Sequence, residues 1–362
     1  MNDHDEIDRL NRLIAARSIE TFSWLQEQGI EFHSPEASGF IKTTESDGRD
    51  VAFPLIERAE EVGVDVFTET KGENIIKENN EVVGVEAINT NNNKKKLKAD
   101  SIIIATGDFV ANENKIARHN PEYSELPVGS IYSSTGDGLT LATDIGAATT
   151  KMDEIILTPT LESKSYINIT SLLRTSLGNS IIINHDGERF TDESQECQAL
   201  SNEILSEMET NNSDYMYMIF DQNTIDNIPY AEKYIPHAFE AETIEGLSDK
   251  LRVDKDILKT SINEADEGRK DLVEQPLSKL EEPPYYALNI RPGILATKGG
   301  LKVNDRSQVL DKDNNPINNL YAAGDVINCK FDSGYQLGTL LTQSFVTSRT
   351  AGIESAINSL ND

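Results

Sequence analysis

The chain has 362 residues, 37% of them hydrophobic and 22 of them glycine. That length favours about two domains, and the composition suits an α/β globule rather than a disordered or fibrous chain. Against 33 Lys and Arg stand 62 Asp and Glu, a net charge of −29 that repels DNA, RNA and anionic membrane and excludes them as partners.

The acids are dispersed along the chain, which fits either a salt-rich cytoplasm or an ordinary acidic enzyme. The longest apolar runs, such as "SIIIA" at 101–105, are too short to span a bilayer, so no membrane span is expected. The start, "MNDHDEIDRLNR", is charged throughout and cannot be the apolar core of a signal peptide; a cytoplasmic location is expected. Two cysteines, Cys197 and Cys329, and five scattered histidines make neither a disulfide framework nor a metal motif, and no metal site is expected.

In chain order, apolar residues at helical spacing (Ile7, Leu10, Leu13, Ile14) predict a helix over 6–29, stopped by Gly29. "RDVAFPLIERAEEVGVDVFTET" predicts a second helix, a stop at Gly63 and a strand through Val64, Val66 and Thr68. Asn79-Asn80 turns a hairpin, and "NTNNNKKK" at 89–96 reads as a surface turn. "SIIIATGDF" reads as a buried strand ending in Ala105-Thr106-Gly107. From about 154 to 287 the texture changes, with a hairpin around Asp186-Gly187 and a pair of helices joined near Asp254. Past Pro283-Pro284 strand and turn signals return, and "QVLDKDNNPINNLYAAGDV" adds a hairpin and another buried strand. The organisation expected is an α/β domain of residues 1–153 and 288–362, interrupted by an inserted α+β domain at 154–287. Arg189 and Glu193 read as a hairpin ion pair, Cys197 as a buried small hydrophobe, Lys298 as a solvated strand charge and His185 as a surface turn residue.

Six stretches in order carry a resemblance: "ETFSWLQEQGIEF", "IIIATGDF", "STGDGLTLATDIGAA", "IIINHDGERFTDE", "PPYYALNIRPGILATKGGL" and "LYAAGDV". Together they resemble the FAD-dependent fumarate reductase and succinate dehydrogenase flavoproteins, a family that includes 3-ketosteroid dehydrogenases. The resemblance implies a Rossmann-like FAD-binding domain and a capping domain over a small-molecule substrate. It also implies FAD as cofactor and hydride transfer at a carbon–carbon bond beside an activating carbonyl. Ala105, Thr106 and Gly107 would let backbone approach the cofactor where a side chain would collide. Asp137 belongs to the family's "TGDG" turn. Asp325, after Gly324, could accept a hydrogen bond from a ribityl or ribose hydroxyl. Gly338, Thr339 and Leu340 open a helix whose N–H groups could meet the pyrophosphate or the flavin edge.

The family's first βαβ unit, with its G-x-G-x-x-G fingerprint, has no counterpart in this sequence. "GDGLTLA" at 136–142 has Leu141 in place of the third glycine and aligns with the "TGDG" turn instead. The expected fold is therefore an N-terminally truncated FAD-binding domain, with a separate N-terminal FAD-binding fragment as an implied partner.

The family's catalytic positions are altered too. Thr158 stands before Pro159-Thr160 where fumarate reductases place a histidine; Thr170 is kept, Ser171 replaces a glutamate and Arg174 remains. Cys197 stands for the proton-donating arginine, Ala296 for a second histidine and Gln336 for the arginine that clamps a carboxylate. A dicarboxylate needs cations and a proton donor, so the resemblance with these changes implies a substrate other than fumarate or succinate. Tyr335 lies near a catalytic tyrosine of the ketosteroid dehydrogenases; it could polarise a carbonyl or accept a proton, or simply pack its ring on the loop. The catalytic set expected is Tyr335, Thr158, Thr170 and Gln336. The alternative is a catalytically silent remnant acting as a binding module.

Overall fold

Two consecutive asparagines in the left-handed region, Asn79 (φ 49°) and Asn80 (φ 73°), turn the chain between strands β1 (Thr70–Glu78) and β2 (Glu81–Asn89). Both central residues of a tight hairpin turn of this hand need positive φ, and asparagine tolerates it. The computed structural model describes residues 3–32, 48–170, 179–227, 234–265, 279–328 and 338–361. These divide into two units: Met1–Ser124, Ile131–Ile155 and Ala296–Asp362 form one, and Glu125–Ser130 with Ile156–Leu295 the other.

In the first unit, β3 (Lys94–Lys98) adds to β2 in antiparallel register, Val85 opposite Leu97. The polar run at 89–96 thus supplies a strand as well as a turn. Four lysines hide it from a reading based on alternation. Helix α1 (Asp3–Glu27) stops before Gly29 (φ 93°), as its spacing predicts. Helix α2 (Arg49–Glu61) follows but buries none of its residues. The strand expected through 64–68 does not form: among the described residues this stretch has no ladder partner, and Val64, Val66 and Phe67 are each 52% exposed. Alternation marks a sequence that fits a sheet, and a neighbouring strand must still complete it.

The second sheet of this unit holds β4 (Ile102–Ile104), β12 (Gln308–Leu310) and β13 (Pro316–Ala322), ordered β12-β13-β4. β4 runs parallel to β13, with Leu320, Tyr321 and Ala322 opposite Ile102, Ile103 and Ile104. Among the described residues β4 has no strand on its other side, so Ile103 is 40% exposed and the strand is only half buried. Short elements surround this sheet: α3 (Glu113–His119), α4 (Asp137–Asp144), β5 (Thr149–Thr150) and β11 (Gly300–Leu301). Helix α9 (Thr339–Asn361) returns along β13 and packs on α1, where Arg349 meets Glu20 at 2.6 Å. Lys298 is no solvated charge, since its ammonium lies 3.6 Å from Glu154 and is largely covered.

The second unit is a sheet ordered β6-β10-β8-β7, from β6 (Ile155–Glu162), β7 (Ser180–Ile183), β8 (Met216–Asp221) and β10 (Tyr285–Thr297), with β9 (Phe239–Ala241) also on β10. β10 keeps 288–295 inside this unit, past the expected boundary at 287. One face packs Met218, Phe220 and Leu288 against Leu200 and Ile204 of α5 (Cys197–Thr210). The other packs Ile181, Ile219 and Ala287 against α7 (Ile244–Leu251) and α8 (Lys255–Ala265). Both faces are covered, which is why β7 and β8 are apolar in unbroken runs. A short helix, α6 (Gln222–Asn227), follows β8. His185, expected on the surface, is half-buried between Tyr215 and Tyr217, with its Nε2 2.9 Å from the Tyr215 carbonyl. Among the described residues no helix is long and apolar enough to cross a membrane.

Arg189 and Glu193 do pair, with Glu193 buried and Arg189 partly covered. Glu193 is fully enclosed, takes Arg189 Nε and NH2 at 3.1 and 2.7 Å, and accepts the Ile182 N–H at 2.7 Å. Removing one partner of a buried pair strands the other, so Glu193→Ala should destabilise this unit by about 3–5 kcal/mol in urea unfolding. A loss below about 1 kcal/mol would show the pair to be solvated instead.

Candidate functional site at the tips of two parallel strands

The chain leaves β4 through Ala105, Thr106 and Gly107, and leaves β13 through Ala323, Gly324 and Asp325. Parallel pairing puts both exits at the same end of the sheet, and Ala323 N–H donates to the Ile104 carbonyl at 3.0 Å to close it. Gly107 (φ 74°) and Gly324 (φ 75°) both turn in the left-handed region that a side chain would strain. Ala105 and Thr106 are exposed at this tip. Gly138, in the first turn of α4, comes so close that a Cβ there would meet Thr106 Oγ1 at 2.3 Å. Asp137, just before it, points the other way: its carboxylate takes Lys71 at 2.9 Å and the Thr135 hydroxyl at 3.0 Å. Those bonds hold its pKa below the usual range, Lys71 first. Its surroundings are an open concavity of about 460 Å³, shared with Glu73, Lys94, Thr140 and Asp144.

Two carboxylates follow the two glycines. Asp108, which the sequence did not single out, is 5% exposed and accepts N–H groups of Thr297 (2.8 Å) and Val110 (3.3 Å). Burial raises its pKa, against those hydrogen bonds. Among the described residues Asp325 has one hydrogen-bond partner, Ser344 Oγ at 3.5 Å; burial, and then the charge of Asp108, push its pKa up to about 6. Ser344 belongs to α9, which begins at Thr339 after Gly338 (φ 85°), with Thr342 N–H donating to the Gly338 carbonyl at 3.0 Å. Gly338, Thr339 and Leu340 therefore open the helix that reaches Asp325. A half-buried, half-satisfied carboxylate, two glycines in the left-handed region and a helix start suit a ligand with hydroxyls and phosphates. FAD fits that description.

In the second unit, Thr158 and Thr160 of β6 are buried and share one neighbour: Thr170 Oγ1 lies 2.8 Å from Thr158 Oγ1 and 3.0 Å from Thr160 Oγ1. Three hydroxyl hydrogens serve two contacts, so one is left over to donate elsewhere. Thr160 was visible only as part of the "PT" dipeptide. Cys197 is buried at the start of α5, and Ala296 is buried near the end of β10. Tyr335 and Gln336, like Ser171, Arg174 and Cys329, lie outside the described residues. Among the described residues no cluster of His, Cys, Asp or Glu could hold a metal ion.

Residues 20–340 match the model of the FAD binding domain family. The chain belongs to that family. FAD is the cofactor that the family binds. It is 28% identical over 339 residues to an NADH:fumarate oxidoreductase of Klebsiella pneumoniae, covering 88% of this chain and 36% of the relative. A urocanate reductase of Eggerthella lenta is 28% identical over 331 residues, covering 86% of this chain and 54% of the relative. The fold is like that of an open-form flavocytochrome c3 fumarate reductase, with a TM-score of 0.78 and 24% identity, covering 97% of this chain and 64% of that one. The chain thus spans less than two thirds of the length of each of these proteins.

The raised Asp325 pKa has a measurable consequence. An unfolded aspartate titrates near ~3.9, while folded Asp325 keeps its proton up to about pH 6. Between those values the folded state binds more protons, so this group's contribution makes stability fall as pH rises through the window. Asp325→Asn should remove that cost: without flavin, its stability gain over the parent should be about 2 kcal/mol larger at pH 7.5 than at pH 4. Equal gains at the two pH values would show that Asp325 titrates as a solvated acid.

Proposed function

We propose that the chain forms the cofactor-holding and substrate-capping parts of an FAD-dependent oxidoreductase acting at a carbon–carbon bond beside an activating carbonyl. The observation that carries this is the meeting of Gly107, Gly324 and Asp325 at one end of two parallel strands in a member of an FAD-binding family. FAD, when bound, supplies hydride exchange at its ring. The unit of residues 1–124, 131–155 and 296–362 makes the cofactor domain, and the unit of 125–130 and 156–295 the cap. Ala105, Thr106 and Gly107 give it open backbone; Asp325 accepts its hydroxyls; Gly338, Thr339 and Leu340 face its phosphates or ring edge. Asp137 shapes the turn into α4.

A glycine-rich strand–turn–helix completes the site by pairing with the free edge of β4, supported by the exposure of Ile103 and of Val64, Val66 and Phe67. It can be supplied as a separate fragment. Without it the chain binds FAD weakly.

The similarity to relatives named for fumarate and urocanate reduction supports this reaction class. Thr158, Cys197, Ala296 and Gln336 are uncharged where that class carries a dicarboxylate's cations and proton donor. The substrate is therefore less anionic than fumarate. The unspent hydroxyl hydrogen of Thr158, Thr160 and Thr170 polarises its carbonyl, Gln336 binds a neutral group, and the Tyr335 phenol exchanges a proton.

The test combines the chain, FAD and a fragment bearing G-x-G-x-x-G. Yellow protein with an absorbance band near ~450 nm is expected, with fumarate reduction below about 0.1 s⁻¹ against the ~10 s⁻¹ typical of enzymes. Turnover of a neutral enone should fall by about 10²–10⁴ in Tyr335→Phe. Rapid fumarate reduction overturns the substrate assignment. Colourless protein favours the binding-module reading.

A further inference from the structure

Gln343 lies in the second turn of α9, on the buried stripe that continues through Val346, Thr347, Thr350 and Ala351. It exposes none of its surface, and neither its Oε1 nor its Nε2 has a hydrogen-bond partner among the described residues. An amide bare at both ends in a dry interior is costly, and native structures that keep one supply it with a partner.

The register of α9 on β13 locates it. Asn358 donates to Asn319 at 2.9 Å, Tyr321 Oη to the Glu354 carbonyl at 3.5 Å, and Gly324 N–H to Thr347 Oγ1 at 3.1 Å. Moving back along the helix therefore means moving out along the strand. Gln343, one turn before Thr347 and next to Ser344 with its contact to Asp325, lies past the strand tips. Side chains on a helix lean toward its N-terminus, so the amide is directed at the first turn of α9, where backbone N–H groups point outward along the axis.

An amide offers a donor and an acceptor side by side in one plane. A phosphate offers acceptors alone, and a ribityl hydroxyl uses one atom for both roles. A ring edge with adjacent carbonyl and N–H matches both ends at once. We propose that Gln343 reads the lactam edge of the flavin ring, Nε2 donating to a ring carbonyl and Oε1 accepting from the ring N–H. This rests on the placement of FAD at the strand tips.

The experiment measures melting temperature for the full chain and for Gln343→Leu and Gln343→Met, and the affinity of each, combined with the G-x-G-x-x-G fragment, for FAD, riboflavin and ADP as probes. Riboflavin lacks adenine, whose edge also pairs with an amide, and ADP lacks the flavin ring. Without ligand, both variants should melt about 2–5 °C higher than the parent, because the bare amide is gone. Their Kd for FAD and riboflavin should rise about tenfold while that for ADP stays unchanged. Unchanged riboflavin affinity, a lower melting temperature in both variants, or weakening confined to ADP would overturn the assignment of Gln343 while leaving the cofactor site in place. If the parent chain together with the G-x-G-x-x-G fragment takes up neither FAD nor riboflavin, the cofactor reading itself fails and this inference falls with it.

Discussion

The parallel pairing of Ile102–Ile104 with Leu320–Ala322 is the constraint on which the cofactor end of the chain depends. The two segments are more than 200 residues apart in sequence, yet only their common direction brings two glycine turns and two carboxylates to one tip. An antiparallel pairing would send Gly107 and Gly324 to opposite ends of the sheet. The close approach of Gly138 to Thr106 and the return of α9 along β13 both build on this pairing. Asp108 ties the same tip to Thr297.

The two acids at the strand tips show how a fold can divide one chemistry between two residues. Asp108 takes two backbone N–H groups and so has a structural use within the chain. Asp325 has a single long contact to a hydroxyl, and its environment favours the protonated form. A carboxylate left this way is ready to accept from a ligand, at the expense of the protein without one.

What could be read from the sequence was local. The Asn79-Asn80 hairpin, the stop at Gly29 and the "ATG" and "AAGDV" exits each carry their cause within a few residues. The strand expected at 64–68 failed because a strand is completed by its neighbour, and β3 was hidden because lysines obscure alternation. Asp108 stood in plain view, but its partner Thr297 is 189 residues away. Thr158 and Thr170 were both singled out, although nothing local says that their hydroxyls meet through a third, Thr160. Gln343 escaped because a glutamine on a helix reads as solvent-facing until its burial is known.

The two three-stranded sheets of the first unit end in opposite ways. β3 closes the hairpin sheet with Lys94, Lys95, Lys96 and Lys98, a fence of like charges that another strand cannot approach without burying them. β4 carries only isoleucine, and its outer rim bears no such guard. One edge therefore refuses further strands while the other admits them, so the direction in which this sheet system can grow is written into its side chains.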